Sequence, residues 1–302
     1  MFATRDLHWS WQGRDIVLGL DEAGEGPLVL ALPAPSSIST RSEMHPLMRR
    51  LASRFHVAAV DWPGFGTRPR PALHWTPEAL SAFLDDALRA FAAGPEVADK
   101  TAAPRIVAAG HAAAYVLHHA AHHPGTIARA ALIAPTWRGP LPTMAGGDRP
   151  LFGRIRRAIE APLVGPALYR LNVSDFVLRK MVCGHVYSDP HWLTAARLNA
   201  KRAVVDAPGA RFASAAFVTG GLDRAATREQ FLALARRADL PLLVVYGAET
   251  PPRSRAEMEA LAELPQVSTL RVKRGKLSVH EEFPDDVCAT IGAFLGEPSM
   301  AA

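Results

Sequence analysis

The chain has 302 residues, 34 Lys+Arg against 29 Asp+Glu, a formal net charge of +5 and an apolar fraction of 49%. That composition excludes a disordered or fibrous chain and fits one large globular domain, or a core with an insertion. Cys183 and Cys288 are too few for a disulfide scaffold, no apolar run is long enough for a membrane span, and the opening MFATRDLHWSW lacks a secretory apolar region, so a cytoplasmic location is expected.

In chain order, residues 7–11 and 15–20 flank a Gln12-Gly13 turn and predict a hairpin. Residues 28–32 form a short apolar run ending in Pro33-Ala34-Pro35, which predicts a buried strand. A helix over 46–54 leads to a strand over 56–60, closed by Asp61-Trp62-Pro63-Gly64-Phe65-Gly66. Residues 76–91 place apolar side chains at helical spacing behind the start signal Thr76-Pro77-Glu78. A strand over 105–109, a helix over 113–123 and a strand over 130–134 follow. Strands over 241–246 and 267–272 each lead into a helix, 255–264 and 285–295. Short apolar strands alternating with helices predict an α/β fold with a mostly parallel sheet covered on both faces.

Residues 138–238 break the alternation and predict several helices. They carry 16 basic residues against 7 acidic ones, so the positive charge gathers here over a mildly acidic remainder. Segment 149–170 is basic and amphipathic. The division expected is a core of residues 1–137 with 239–302 and a helical cap of 138–238.

Several segments together resemble the α/β-hydrolase fold over about residues 7–295: the Trp11-Gln12-Gly13 hairpin, the turn after Val60, Gly110-His111 before a helix, Leu132-Ile133-Ala134-Pro135 ahead of the cap, Val244-Val245-Tyr246-Gly247, and a late His280. The resemblance implies a helical cap inserted after the sixth strand. It also implies a sharp G-x-S-x-G turn that lifts a nucleophilic Ser above the sheet. Here the turn is Gly110-His111-Ala112-Ala113-Ala114, and the nucleophile position falls on Ala112. A methyl group cannot attack a carbonyl. The family's acid, counted from Gly247, lands on Thr250, with the carboxylate of Glu249 one residue earlier. The family's oxyanion loop becomes Pro33-Ala34-Pro35. Pro35 has no N–H to donate, which leaves Ser36 as the alternative donor. His280 stands at the position of the family's catalytic base, where an imidazole suits proton transfer.

His111, beside the turn, and Asp61 are expected to be structural. His118, His119, His122 and His123 form two i, i+4 pairs, but no carboxylate accompanies them in sequence, and neither metal nor cofactor is expected. Ala34, Pro35, Ser36, Ala113, Trp137, Tyr187 and Trp192 are the expected pocket residues, with Trp62 and Phe65 as further aromatic lining. The expected partner is a small apolar or amphiphilic carbonyl or carboxylate compound, anionic in keeping with the basic cap. The cap's amphipathic segment also points to a membrane surface, and no nucleic acid is expected. Three functions follow: a non-hydrolytic, decarboxylase-like enzyme using His280; an inactive ligand-binding pseudo-hydrolase; or a serine hydrolase in which Ala112 replaces the nucleophile.

Overall fold

The computed structural model describes residues 2–92 and 103–297. Eight strands form one sheet: β1 (Ala3–Trp11), β2 (Arg14–Ala23), β3 (Leu28–Leu32), β4 (His56–Val60), β5 (Arg105–Ala109), β6 (Arg129–Ile133), β7 (Leu242–Gly247) and β8 (Val267–Val272). Their order is β1-β2-β4-β3-β5-β6-β7-β8. The β1–β2 and β2–β4 pairs are antiparallel, and the pairs from β4 through β8 are parallel. The hairpin lies where expected. Gln12 (φ 50°) and Gly13 (φ 72°) both have positive φ, the combination a tight two-residue hairpin turn requires. The central strands β3, β4, β6 and β7 are buried at every residue, which is why, apart from His56 and Arg129 at the starts of β4 and β6, they appear in sequence as apolar runs.

Helices cover both faces: α1 (His45–Leu51), α2 (Pro77–Ala92) and α3 (Ala112–His122) in the first half, α11 (Pro252–Ala262), α12 (Val279–Glu282) and α13 (Pro284–Gly296) in the last. Between β6 and β7 run α4 (Pro140–Ala145), α5 (Pro150–Glu160), α6 (Gly165–Asn172), α7 (Asp175–Met181), a π-helical turn (Val182–Val186), α8 (Ala195–Val205), α9 (Ala210–Val218) and α10 (Arg228–Arg237). The expected insertion of 138–238 is therefore helical, but its far end belongs to the sheet. Phe231 and Ala235 of α10, with Ala213 and Ala216 of α9, join the main core. A second apolar cluster, Val173, Leu178, Val182, Tyr187, Leu193, Leu198 and Val205, closes around Ile38 from the loop after β3. Amphipathicity alone does not say which core a helix serves, so the packing of α9 and α10 is not visible in the helical pattern.

Beneath the antiparallel edge lies a buried ionic node. Asp61 accepts from Thr40 Oγ1 (2.8 Å), from the Arg41 backbone N–H (2.7 Å) and from Arg41 Nη1 (2.7 Å). Arg41 Nε is 3.0 Å from Asp21. A Cβ on Gly19 would sit 2.0 Å from the Arg41 guanidinium, so a larger residue there would displace the Arg41–Asp61 pair. The structural role expected of Asp61 is the one it has.

Burial alone would raise the Asp21 carboxyl, but hydrogen bonds from His45 and Thr4 and the charge of Arg41 outweigh it and hold it at about 2. His56 and Arg5 bring Glu22 to about 2 as well. Both native carboxyls lie below their ordinary values of 3.8 and 4.5. Their stabilisation is therefore complete above that range and is lost as the pH falls toward about 2. Urea unfolding midpoints measured across this window should fall steeply, and less steeply for Asp21→Asn.

Candidate functional site

In open α/β sheets, ligands bind where loops leave the carboxyl ends of parallel strands. Six such loops are present here, after β3, β4, β5, β6, β7 and β8. The sharpest turn follows β5. Gly110 has φ +54°, its N–H donates to Ile133 O, and its carbonyl accepts from Thr136 N. The sequence placed the turn's functional residue at Ala112, and the geometry moves it. Ala112 and Ala113 are fully buried in the first turn of α3, and the left-handed residue that swings the chain from strand to helix is Gly110. A Cβ there would lie 3.0 Å from Ala34 Cβ and 3.9 Å from Thr136 Oγ1, so this position faces the loop after β3. The signal was present in sequence: Gly110 is the first residue after an apolar strand and the only type free to take positive φ there at no cost. The alanine run that follows it obscured the register.

His111 keeps the structural place expected of it. Its Nε2 contacts Leu222 O at 3.1 Å, and burial drives its pKa down to about 4. Pro35 is buried. The Ser36 N–H, the alternative oxyanion donor, is spent on Ala34 O at 2.8 Å, while Ser36 Oγ bonds Ser39 Oγ at 2.7 Å. Of the two candidates at the acid position, neither pairs with His280. Glu249 is exposed on the loop after β7, and the buried residue there is Thr250, whose Oγ1 has no partner. A carboxylate near a solvated loop tip gains more from water than from an uncharged buried ring.

His280 itself is 1% exposed, and neither ring nitrogen has a hydrogen-bond partner. Burial first, and the nearby charge of Lys201 second, push its pKa down to about 3. The imidazole is therefore neutral near pH 7.

The loop carrying His280 is fastened to the insertion. Ser278 N donates to Val186 O (3.1 Å), Lys276 Nζ to Cys183 O (2.7 Å), and the backbone N–H groups of Ser188 and Asp189 donate to the Glu282 carboxylate. Next to His280, Glu281 accepts from the Tyr187 hydroxyl. Lys201 of α8 donates to Glu43, and its Nζ lies 3.6 Å from Glu281. Lys201 also sits over the Tyr187 ring, which stacks on Trp192 at 3.9 Å. Burial pushes the Glu43 carboxyl up, as does Glu281 beside it, while Lys201 pulls the other way; the two carboxylates hold Lys201 firmly charged. Glu43, Lys201 and Glu281 escaped the sequence reading because nothing local links three charges so far apart in the chain.

The structure thus brings Tyr187 and Trp192 alongside the loop of His280, with Ser36 linked to it through Ser39 and the segment bearing Glu43. Trp137 goes elsewhere. It packs on Phe231, donates to Glu257 (3.1 Å) and lines a groove of about 640 Å³ with Arg138, Thr227 and Pro252. Trp62 and Phe65 are core residues rather than pocket lining. The histidine pairs do have a carboxylate beside them: Asp85 Oδ1 is 2.5 Å from His119 Nδ1, and donor atoms of Asp85, His119 and His123 lie within 4.8 Å of one another. Thr126 Oγ1 occupies the other His119 nitrogen at 2.9 Å, so this ring is fully engaged in hydrogen bonds.

Residues 29–290 match the family model described as "Alpha/beta hydrolase family". The chain belongs to the alpha/beta hydrolase family. No curated protein matches its sequence. Among solved structures it is similar to a thermophilic esterase from Thermogutta terrifontis (TM-score 0.69, 19% identity, 97% of this chain and 98% of that one). It is similar as well to the enol-lactonase from Burkholderia xenovorans LB400 (0.65, 18%, 96% and 100%) and a hydrolase from Pseudomonas aeruginosa PA01 (0.70, 17%, 97% and 98%). At these identities the likeness establishes the fold. An alpha/beta hydrolase fold with an eight-stranded, mostly parallel sheet flanked by helices agrees with the sequence expectation.

Breaking a buried ion pair by removing one partner typically costs about 3–5 kcal/mol, because the other charge stays buried alone. Lys201→Met strands Glu43 and Glu281, and its unfolding free energy in urea should drop by about that amount. A loss under about 1 kcal/mol, typical of exposed pairs, would show the cluster to be solvated.

Proposed function

We propose that this alpha/beta hydrolase family member forms no acyl-enzyme and instead takes a small amphiphilic carbonyl or carboxylate compound under the insertion, with His280 as its principal polar contact. The observation that carries this reading is His280: buried, neutral, and with both ring nitrogens unpartnered. A hydrolytic triad needs that ring bonded to a nucleophile on one side and an acid on the other. Here Gly110 offers no side chain, and Glu249 points to solvent.

A buried polar atom without a partner costs about 1–3 kcal/mol. Such atoms recur on three loops that leave the carboxyl ends of the strands: Ser37 Oγ after β3, Thr250 Oγ1 after β7, and His280 after β8. Their place on the loops where such sheets bind ligands supports a polar headgroup as the partner. The anionic character of the ligand rests on the basic excess of residues 138–238.

The neutral imidazole favours one catalytic variant of this reading. A 3-oxo acid can lose its carboxylate as CO₂, leaving the electron pair as an enolate. The His280 N–H then bonds the enolate oxygen, and a proton taken up from solvent at carbon completes the methyl ketone.

Purified protein should neither hydrolyse short acyl p-nitrophenyl esters nor react with a fluorophosphonate. It should bind medium-chain 3-oxo acids with a change in tryptophan fluorescence that His280→Ala abolishes. Ketone detected by gas chromatography, absent with His280→Ala, would select the catalytic variant. Gly110→Ser should fold, destabilised by about 1–2 kcal/mol for placing a side chain at positive φ, and should remain inactive on esters because acid and oxyanion donor are also altered. Ester turnover by the wild-type chain would overturn the proposal.

A further inference from the structure

The large apolar side chains most exposed among the described residues do not scatter. Met144, Leu151, Leu163, Val164, Leu168, Leu171 and Phe176 all fall within 33 residues of the insertion. Leu163 is 90% exposed, Phe176 76% and Leu171 71%. Val164, Leu168 and Leu171 follow i, i+4, i+7 spacing and so form one stripe along α6 that faces solvent rather than either core. Contiguous exposed apolar surface of this kind marks an interaction site.

Its surroundings carry charge of one sign. Over residues 144–180 the exposed ionisable side chains are Arg149, Arg154, Arg157, Arg170, Arg179 and Lys180 against Asp148 and Asp175. A second copy of this chain docking through the same patch about a two-fold axis would oppose two basic surfaces. An anionic lipid surface instead offers hydrocarbon for the leucines and negative headgroups for the arginines.

We infer that α5, α6 and α7 form a docking surface for anionic membranes, with the Leu163-Val164 turn, Leu171 and Phe176 entering the headgroup region and the flanking basic residues binding acidic lipid. Surface partition of this type adds about 1 kcal/mol per basic residue near the bilayer and weakens with salt.

The test is co-sedimentation of the full chain with phosphatidylcholine vesicles, with and without phosphatidylglycerol. The wild type should partition at least about tenfold more strongly to the acidic vesicles, less at high salt. L163S/L171S/F176S and, separately, R154E/R157E/R170E should each lose most of this binding. These positions are exposed, so both variants should keep the wild-type thermal transition, which is measured in parallel. Equal binding to neutral and acidic vesicles, or undiminished binding by both variants, would overturn the inference. So would the absence of vesicle binding together with a dimer in sedimentation equilibrium that the serine variant dissolves, since the patch would then serve self-association.

Discussion

Lys201 is buried among two carboxylates and a tyrosine where the insertion meets the core. Placing an ammonium there is expensive, and it is tolerable only because Glu43 and Glu281 compensate it. The three residues come from α8, from the turn before α1 and from α12. The cluster therefore ties together three segments that share no local contacts, and it fixes where the loop of His280 lies. Tyr187 extends the same network, and the backbone bonds from 276–282 to 183–189 make the junction a seam rather than a single pin. Such a charged cluster favours one docked arrangement of the insertion over many loosely packed ones.

The state of His280 follows from this seam. Once buried, an imidazole loses the hydration that favours its charged form, and the fixed positive charge of Lys201 adds to the penalty. A ring held neutral in this way is a poor general base near pH 7, where a useful base has its pKa near the working pH. It remains a good hydrogen-bonding group, able to donate at one nitrogen and accept at the other. Gly110 at the β5 turn carries no side chain and Pro35 in the loop after β3 carries no N–H, and the proposed non-hydrolytic reading rests on both. The family therefore supplies the frame, and the chemistry has to be argued from the side chains in it.

Much of the frame was legible in the chain. The Gln12-Gly13 hairpin, the buried strands and the helices around them were announced by turn chemistry and by hydrophobic period, which are local. The site was legible only in part. His280 comes from the family resemblance, and Tyr187 and Trp192 lie beside its loop, whereas Trp62, Phe65 and Trp137 pack elsewhere, because an aromatic residue in a loop carries no local mark of which cluster it joins. At the β5 turn the alanines after Gly110 obscured the register; the glycine that marks the strand end is in the sequence, and its positive φ locates the turn. The choice between Glu249 and Thr250 was open in sequence because one residue along a tight turn separates a buried side chain from an exposed one. Glu43, Lys201 and Glu281 were invisible because charge pairing across 158 residues leaves no trace in local sequence.

The ionisation of His280 is the most direct test of the claim that the site holds a neutral, unpaired imidazole rather than a catalytic base. Its ring nitrogens can be followed by NMR in ¹⁵N-histidine-labelled protein, assigned with His280→Ala, as the pH is lowered from neutral. The account predicts a neutral ring down to about pH 4, consistent with a pKa near 3, and no downfield N–H proton of the kind a carboxylate partner produces. A titration near the ordinary value of 6.5, or a strong bond from the ring to a carboxylate, would contradict it.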